Sequence, residues 1–155
     1  MRIVILTAPT PAFEHLVDTH TVFCDSTAPA ESCHRLPVSA LFGPDLTVWG
    51  AYERDELIGM GALKRLSADH GEIKSMHTRA TARGKGVARA IIQTIVTAGR
   101  EEGLKTLSLE TGAHPAFSAA RGLYAAHGFT ECDPFGDYVT DPHSIFMTMT
   151  LEADQ

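Results

Sequence analysis

The stretch Arg83-Gly84-Lys85-Gly86-Val87-Ala88 sets two glycines and two cations between an extended segment and a helical one. Glycine lets a backbone bend tightly and present its N–H groups. A helix start adds unpaired N–H donors and a partial positive charge. Together they make an anion site, most naturally for phosphate. A Walker A loop is excluded, because Gly86 stands where Ser or Thr is needed and Arg79 stands where the first glycine is needed. A dinucleotide fingerprint would need a third glycine where Arg89 stands, and a strand of a parallel sheet in front of it. The plain structural alternative is a glycine-rich turn that only starts a helix.

The elements that must position this loop follow from periodicity. Residues 2–7 are rich in Ile, Val and Leu and read as a strand, after which Pro9 and Pro11 turn the chain. Phe13, Leu16, Val17 and His20 recur at helical spacing and predict a helix over 12–23. Residues 30–36 and 38–42 read as short helical segments, stopped by Pro37 and by Gly43-Pro44. Strands are expected over 46–53, 56–66 and 72–78 as an antiparallel meander. Arg54-Asp55 is its first turn, and Gly59 and Gly61 mark a close approach or a bulge.

After the loop, 86–102 carries a broad apolar face of Val87, Ala88, Ile91, Ile92, Ile95 and Val96, with Gly103 as its stop. A strand over 104–110, a helix over 117–127, a strand from 129 to 132, a loop over 134–142 and a strand over 144–151 complete the order β-α-α-β-β-β-α-β-α-β-β. That order predicts an α/β (α+β) domain of three layers around one sheet, with residues 1–155 as a single domain and 152–155 as a loose tail.

Composition narrows the function classes. A chain of this length buries roughly 70% of its unfolded surface. The net charge of −6 argues against a general nucleic-acid binder. Cys24, Cys33 and Cys132 form neither a disulfide framework nor a zinc site, which points to ordinary thiols in a reducing cytoplasm. The apolar start is too short for a signal peptide, and no run approaches the roughly 20 apolar residues of a membrane span. His15, His20, His70, His114, His127 and His143 show no metal-ligand spacing and read as structural or solvated.

The pattern Arg-x-x-Gly-x-Ala at 83–88 resembles the pyrophosphate loop of the GNAT superfamily of acyl-CoA-dependent N-acetyltransferases. The strand before it, the strand Leu107-Ser108-Leu109-Glu110-Thr111 after its helix, and Ala120-Arg121-Gly122-Leu123-Tyr124-Ala125-Ala126-His127-Gly128-Phe129 stand in the order of that family. The last resembles its A-x-x-LYxxxGF segment. Leu109-Glu110-Thr111-Gly112 and Pro134-Phe135-Gly136-Asp137-Tyr138 are similar to a bacterial subgroup of small acetyltransferases.

The resemblance implies a mixed sheet of about seven strands, with the fourth and fifth parallel but splayed. It implies acetyl-CoA as donor and CoA as product. Backbone groups of Met76, His77 and Thr78 would take pantetheine, and Arg83, Gly84, Lys85, Gly86, Val87 and Ala88 the pyrophosphate. Where many members carry an Asn contacting pantetheine, this chain has Phe117, with Ser118 as a substitute. Tyr124 would protonate the leaving thiolate, and a positioned phenol can serve a thiol that titrates in free solution at about 8.5.

The amine must lose a proton. Glu72 is placed first as its base, ahead of Glu110 and His77, although Glu72 and Lys74 share a strand face and can simply pair. Acceptor recognition is expected from His34, Arg35, Glu110, Phe135, Asp137 and Tyr138. The implied activity is transfer of an acetyl group to a primary amine, small-molecule or peptide, by direct attack in a ternary complex. The alternative is a non-catalytic acyl-CoA-binding or sensor module on the same fold. A cytoplasmic protein without nucleic-acid or membrane partners is expected. Related small acetyltransferases often dimerise, so a homodimer is compatible with the sequence.

Overall fold

The chain builds one seven-stranded sheet in the order β1-β2-β3-β4-β5-β7-β6, seen in a computed structural model that describes residues 1–29 and 37–151. The expected helix over 30–36, with His34 and Arg35, and the tail over 152–155 lie outside the described residues. The strands are β1 Arg2–Leu6, β2 Leu46–Glu53, β3 Glu56–Arg65, β4 His70–Thr78, β5 Thr106–Gly112, β6 Thr130–Cys132 and β7 Ser144–Thr150. The helices are α1 Pro11–Asp25, α2 Val38–Leu41, α3 Val87–Glu101 and α4 Ser118–Ala126. No helix among the described residues is long and apolar enough to cross a membrane.

Two cores cover the two faces of the sheet. On one, Phe13, Leu16 and Val17 of α1 and Leu41 of α2 bury against Val48, Leu57, Met60 and Ala62. Thr10 caps α1 by accepting the Phe13 N–H at 3.2 Å, and Pro11 opens the helix where its missing N–H costs nothing. On the other face, Val87, Ile91, Ile92, Ile95 and Val96 of α3 pack with Leu63, Ile73, Leu107, Leu109 and Met147. The helix lies so close to β3 that a β-carbon on Gly59 would meet Val87 Cγ1 at 2.6 Å, and one on Gly61 would meet Ile91 Cγ2 at 2.6 Å. These are the glycines read as a close approach.

Some details differ from the expected elements; β4 starts at His70 rather than 72, and α1 runs from Pro11 to Asp25 rather than over 12–23. The fifth strand starts at Thr106 rather than 104, because Leu104 is buried as a plug beneath Gly71 while the Lys105 and Thr106 N–H groups both bond the Asp69 carbonyl. The pairing of β2 with β3 bulges at Ile58, beside Gly59, as the expected bulge required, and a further bulge lies in β4, opposite Gly61. Register skips between Met60 and Ala62, and Ser75 adopts a left-handed φ of 57°.

The functional geometry comes from one feature of the sheet. β4 and β5 pair in parallel only from His70↔Thr106 to Ile73↔Leu109. Beyond that point β4 stays paired to β3 as far as Thr78↔Gly59, and β5 stays paired to β7 as far as Gly112↔Ser144. The two inner edges therefore diverge, each held from its outer side, and open a wedge in the middle of the sheet.

Candidate active site

A cavity of about 830 Å³ occupies this wedge. Its floor is β4 from Glu72 to Thr78, its far wall Glu110 to Gly112 and α4, and one end is the loop ahead of α3. Gly84 and Gly86 both take left-handed φ values, 79° and 81°, and Gly86 is the N-cap of α3. A β-carbon at either would meet no atom of the described residues within 4 Å, so the outer side of the turn is open. The helical ladder begins with the Ala90 N–H on the Gly86 carbonyl at 3.1 Å. The N–H groups of Val87, Ala88 and Arg89 precede that bond and are the helix's orphan donors. Arg83, Gly84, Gly86, Val87, Ala88 and Arg89 all line the cavity. Lys85 is exposed and does not line it, so Arg89, which sequence reasoning passed over, is the second cation beside Arg83.

Along β4, the Arg79 N–H donates to the Ile58 carbonyl at 2.9 Å, and His77 stands opposite Met60. Antiparallel pairing alternates, so the backbones of His77 and Arg79 turn toward β3 and those of Met76 and Thr78 toward the open edge. Met76 and Thr78 thus fit the expected backbone contacts, whereas His77 enters the cavity through its ring. Its Nδ1 lies 3.1 Å from His20 Nδ1, with the ring centroids 4.9 Å apart. Burial, and next the Arg83 charge, push the His77 pKa down to about 4, so it is neutral near pH 7. His77 Nε2 is buried with no hydrogen-bond partner among the described residues.

His20 is therefore not a solvated helix residue. It belongs to a wall formed with Phe23 and Cys24, all from the last turns of α1. Phe23 reaches across the wedge to Phe117, with ring centroids 5.1 Å apart, and Arg83 lies over its face at 5.8 Å. The signal available in the sequence was the i, i+3, i+4 spacing of these three residues, which puts them on one helical face. His143 is exposed, as a solvated histidine would be, and also lines the cavity. His70, bonded to Ser108 at 2.8 Å, His114, which caps a 3-10 turn, and His127, against the Leu123 carbonyl at 2.9 Å, are structural.

At the other end, Tyr124 projects from α4 and is only 6% exposed, its ring edge-on to Phe129 at 5.8 Å. Burial, and next the charge of Glu110, hold its hydroxyl proton more tightly than in a free tyrosine. Phe117 lines the cavity; Ser118 lies outside it and only opens α4, so it does not replace the missing Asn.

Glu72 is buried and does pair with Lys74, at 3.2 Å, yet both line the cavity. The Tyr138 hydroxyl donates to the same carboxylate oxygen at 2.5 Å. Tyr138 and Glu110 line the cavity as expected. Phe135 does not; it packs under the loop against Tyr138, Phe146 and His70. Asp137 is exposed and does not line the cavity, so the structure does not bring it together with the other expected acceptor residues.

Residues 10–129 match the acetyltransferase (GNAT) family. The chain is 48% identical over 136 residues to the uncharacterized N-acetyltransferase YsnE of Bacillus subtilis (strain 168), covering 88% of this chain and 90% of that protein. It is 43% identical over 141 residues to the uncharacterized N-acetyltransferase YedL of Escherichia coli (strain K12), covering 91% and 89%. Among solved structures, a GNAT family acetyltransferase from Elizabethkingia anophelis with acetyl-CoA bound superposes with a TM-score of 0.72 at 18% identity, over 97% of each chain.

Proposed function

Starting from the fact that this chain belongs to the GNAT acetyltransferase family, we propose that it transfers an acetyl group from acetyl-CoA to a primary amine by direct attack in a ternary complex. The observation that carries the reading is that an anion cradle, an unpaired strand edge and a buried tyrosine share one cavity. The residues present fit acetyl-CoA. The amides at the start of α3, with Arg83 and Arg89, suit a diphosphate, and the open edge at Met76 and Thr78 suits the amides of a pantetheine arm. Bound acetyl-CoA supplies an activated acetyl group and departs as the thiol.

The chain's own residues do the proton work. Glu72 lies at the last paired rungs of β4 and β5, opposite Ser108, so its carboxylate meets the acceptor where the wedge opens. It takes a proton from the incoming ammonium. Tyr124, on the opposite wall, keeps its proton at every working pH and gives it to the departing sulfur. Glu110 faces both Tyr124 and Tyr138 and adds negative potential at the acceptor end, which favours a cationic amine. The described chain works as one domain built around this site. The test is stabilisation by acetyl-CoA in a thermal shift, followed by thiol release with a panel of amino acids, polyamines, aminoglycosides and peptides. Absence of thiol release with every amine of the panel, whether or not acetyl-CoA stabilises the chain, would overturn the reading.

A further inference from the structure

Tyr138 comes from the segment between β6 and β7, sixty-six positions from Glu72, yet its hydroxyl donates to Glu72 Oε2 at 2.5 Å. Lys74 Nζ donates to the same Oε2 at 3.2 Å and to the Tyr138 hydroxyl at 3.0 Å. The three groups thus close a ring of contacts. The ammonium also lies 5.7 Å from the centre of the Tyr138 ring. The side chains of Glu72 and Lys74 are 4% and 8% exposed. A hydrogen-bonded network this sheltered from water fixes its members in place.

We infer that Tyr138 and Lys74 are positioning residues. By holding one oxygen of Glu72, they aim the other at the amine acceptor, and they dock the β6–β7 segment as a wall of the acceptor end. Both donors converge on Oε2, which leaves Oε1 as the oxygen to receive a substrate proton. The segment itself is shaped for this. Gly136 turns with φ 57°, the Tyr138 N–H bonds the Phe135 carbonyl at 3.1 Å, and the Phe135 and Phe146 rings brace Tyr138 at 5.1 and 5.4 Å. Among the described residues, the charged groups facing this ring of contacts include Lys74 and Glu72 from β4 and Glu110 from β5. The inference rests on Glu72 being the base of the proposed reaction.

Tyr138→Phe keeps the ring contacts and removes only the hydroxyl. With the best primary amine of the panel, kcat/KM for the amine falls about tenfold, the scale of one hydrogen bond to a charged group. The KM for acetyl-CoA stays within about twofold, because the cradle is untouched. In a Glu72→Gln background, Tyr138→Phe has no further effect on the rate, because its action passes through Glu72.

Lys74→Met removes the other donor and lowers kcat/KM for the amine in the same way, again with no further effect in the Glu72→Gln background, which keeps the test open should Tyr138→Phe fail to fold. A kcat/KM for the amine that does not fall, or a tenfold loss that persists in the Glu72→Gln background, overturns the inference while leaving the acetyltransferase reading intact. Wild-type turnover in Glu72→Gln alone overturns the role of Glu72 and this inference with it.

Discussion

Tyr124→Phe is the perturbation with the clearest chemical consequence. The substitution keeps the ring that packs edge-on to Phe129, in a site only 6% exposed, and deletes the hydroxyl proposed to give its proton to the departing sulfur. Proton donation by a positioned side chain contributes about 10²- to 10⁴-fold to a rate. At 1.36 kcal/mol per tenfold, that is about 2.7 to 5.4 kcal/mol of transition-state stabilisation. The assay is steady-state thiol release as a function of both substrates and of pH. The expected result is a fall of kcat within that range and a KM for acetyl-CoA within about twofold, because the loop amides are unchanged. The melting temperature should move little. The sign of the tyrosine's shift adds a second expectation. Burial and Glu110 raise its pKa above that of a free phenol, so Tyr124 is protonated throughout the working range and contributes no basic limb to the wild-type profile. A variant that keeps turnover within about threefold, with an unaltered pH profile, would refute the acid role.

Other expectations follow from particular residues. Gly86→Ala puts a β-carbon on a residue with φ 81°, which costs about 1–2 kcal/mol, and its methyl intrudes on the open side of the cradle. A lower denaturation midpoint and a raised KM for acetyl-CoA with little change in KM for the amine should result. His77 is neutral in the folded chain, with its pKa lowered from 6.5 to about 4, so the unfolded chain binds the extra proton between those values. Its contribution to stability is complete above pH 6.5 and is lost as pH falls through about 4, amounting to up to about 3 kcal/mol. Chemical denaturation of wild type and His77→Gln across that window should show the wild type losing more stability on acidification. Parallel losses would contradict the assignment.

The contiguous parts of the site were legible and the convergent parts were not. Gly84, Gly86 and Tyr124 sit within short segments whose local geometry follows from a turn and a helix, so their neighbours in sequence define them. Gly59 and Gly61 were legible as a close approach, because a missing side chain inside a strand has few other uses. Lys85 and Ser118 show the limit of adjacency. Each stands beside a residue that lines the cavity, but a neighbouring position in a turn or helix start points elsewhere.

The contact between His20 and His77 spans 57 positions and depends on how α1 crosses β4, which no local pattern encodes. The same holds for Tyr138 on Glu72. Alternation alone gave the Glu72–Lys74 pair but not the hydroxyl that completes it. The left-handed Ser75 was hidden because glycine is the usual mark of that conformation, and the bulge here is imposed by the pairing on either side.

The most direct measurement is product formation. The chain is incubated with acetyl-CoA and each amine of the panel, free thiol is followed in solution, and the amine product is identified by mass spectrometry. The expected result is thiol release that depends on one class of primary amine and matches acetylated amine mole for mole. Stabilisation by acetyl-CoA without acetyl transfer to any amine would contradict it, and would mark the cavity as a binding site for acyl-CoA rather than a catalytic one.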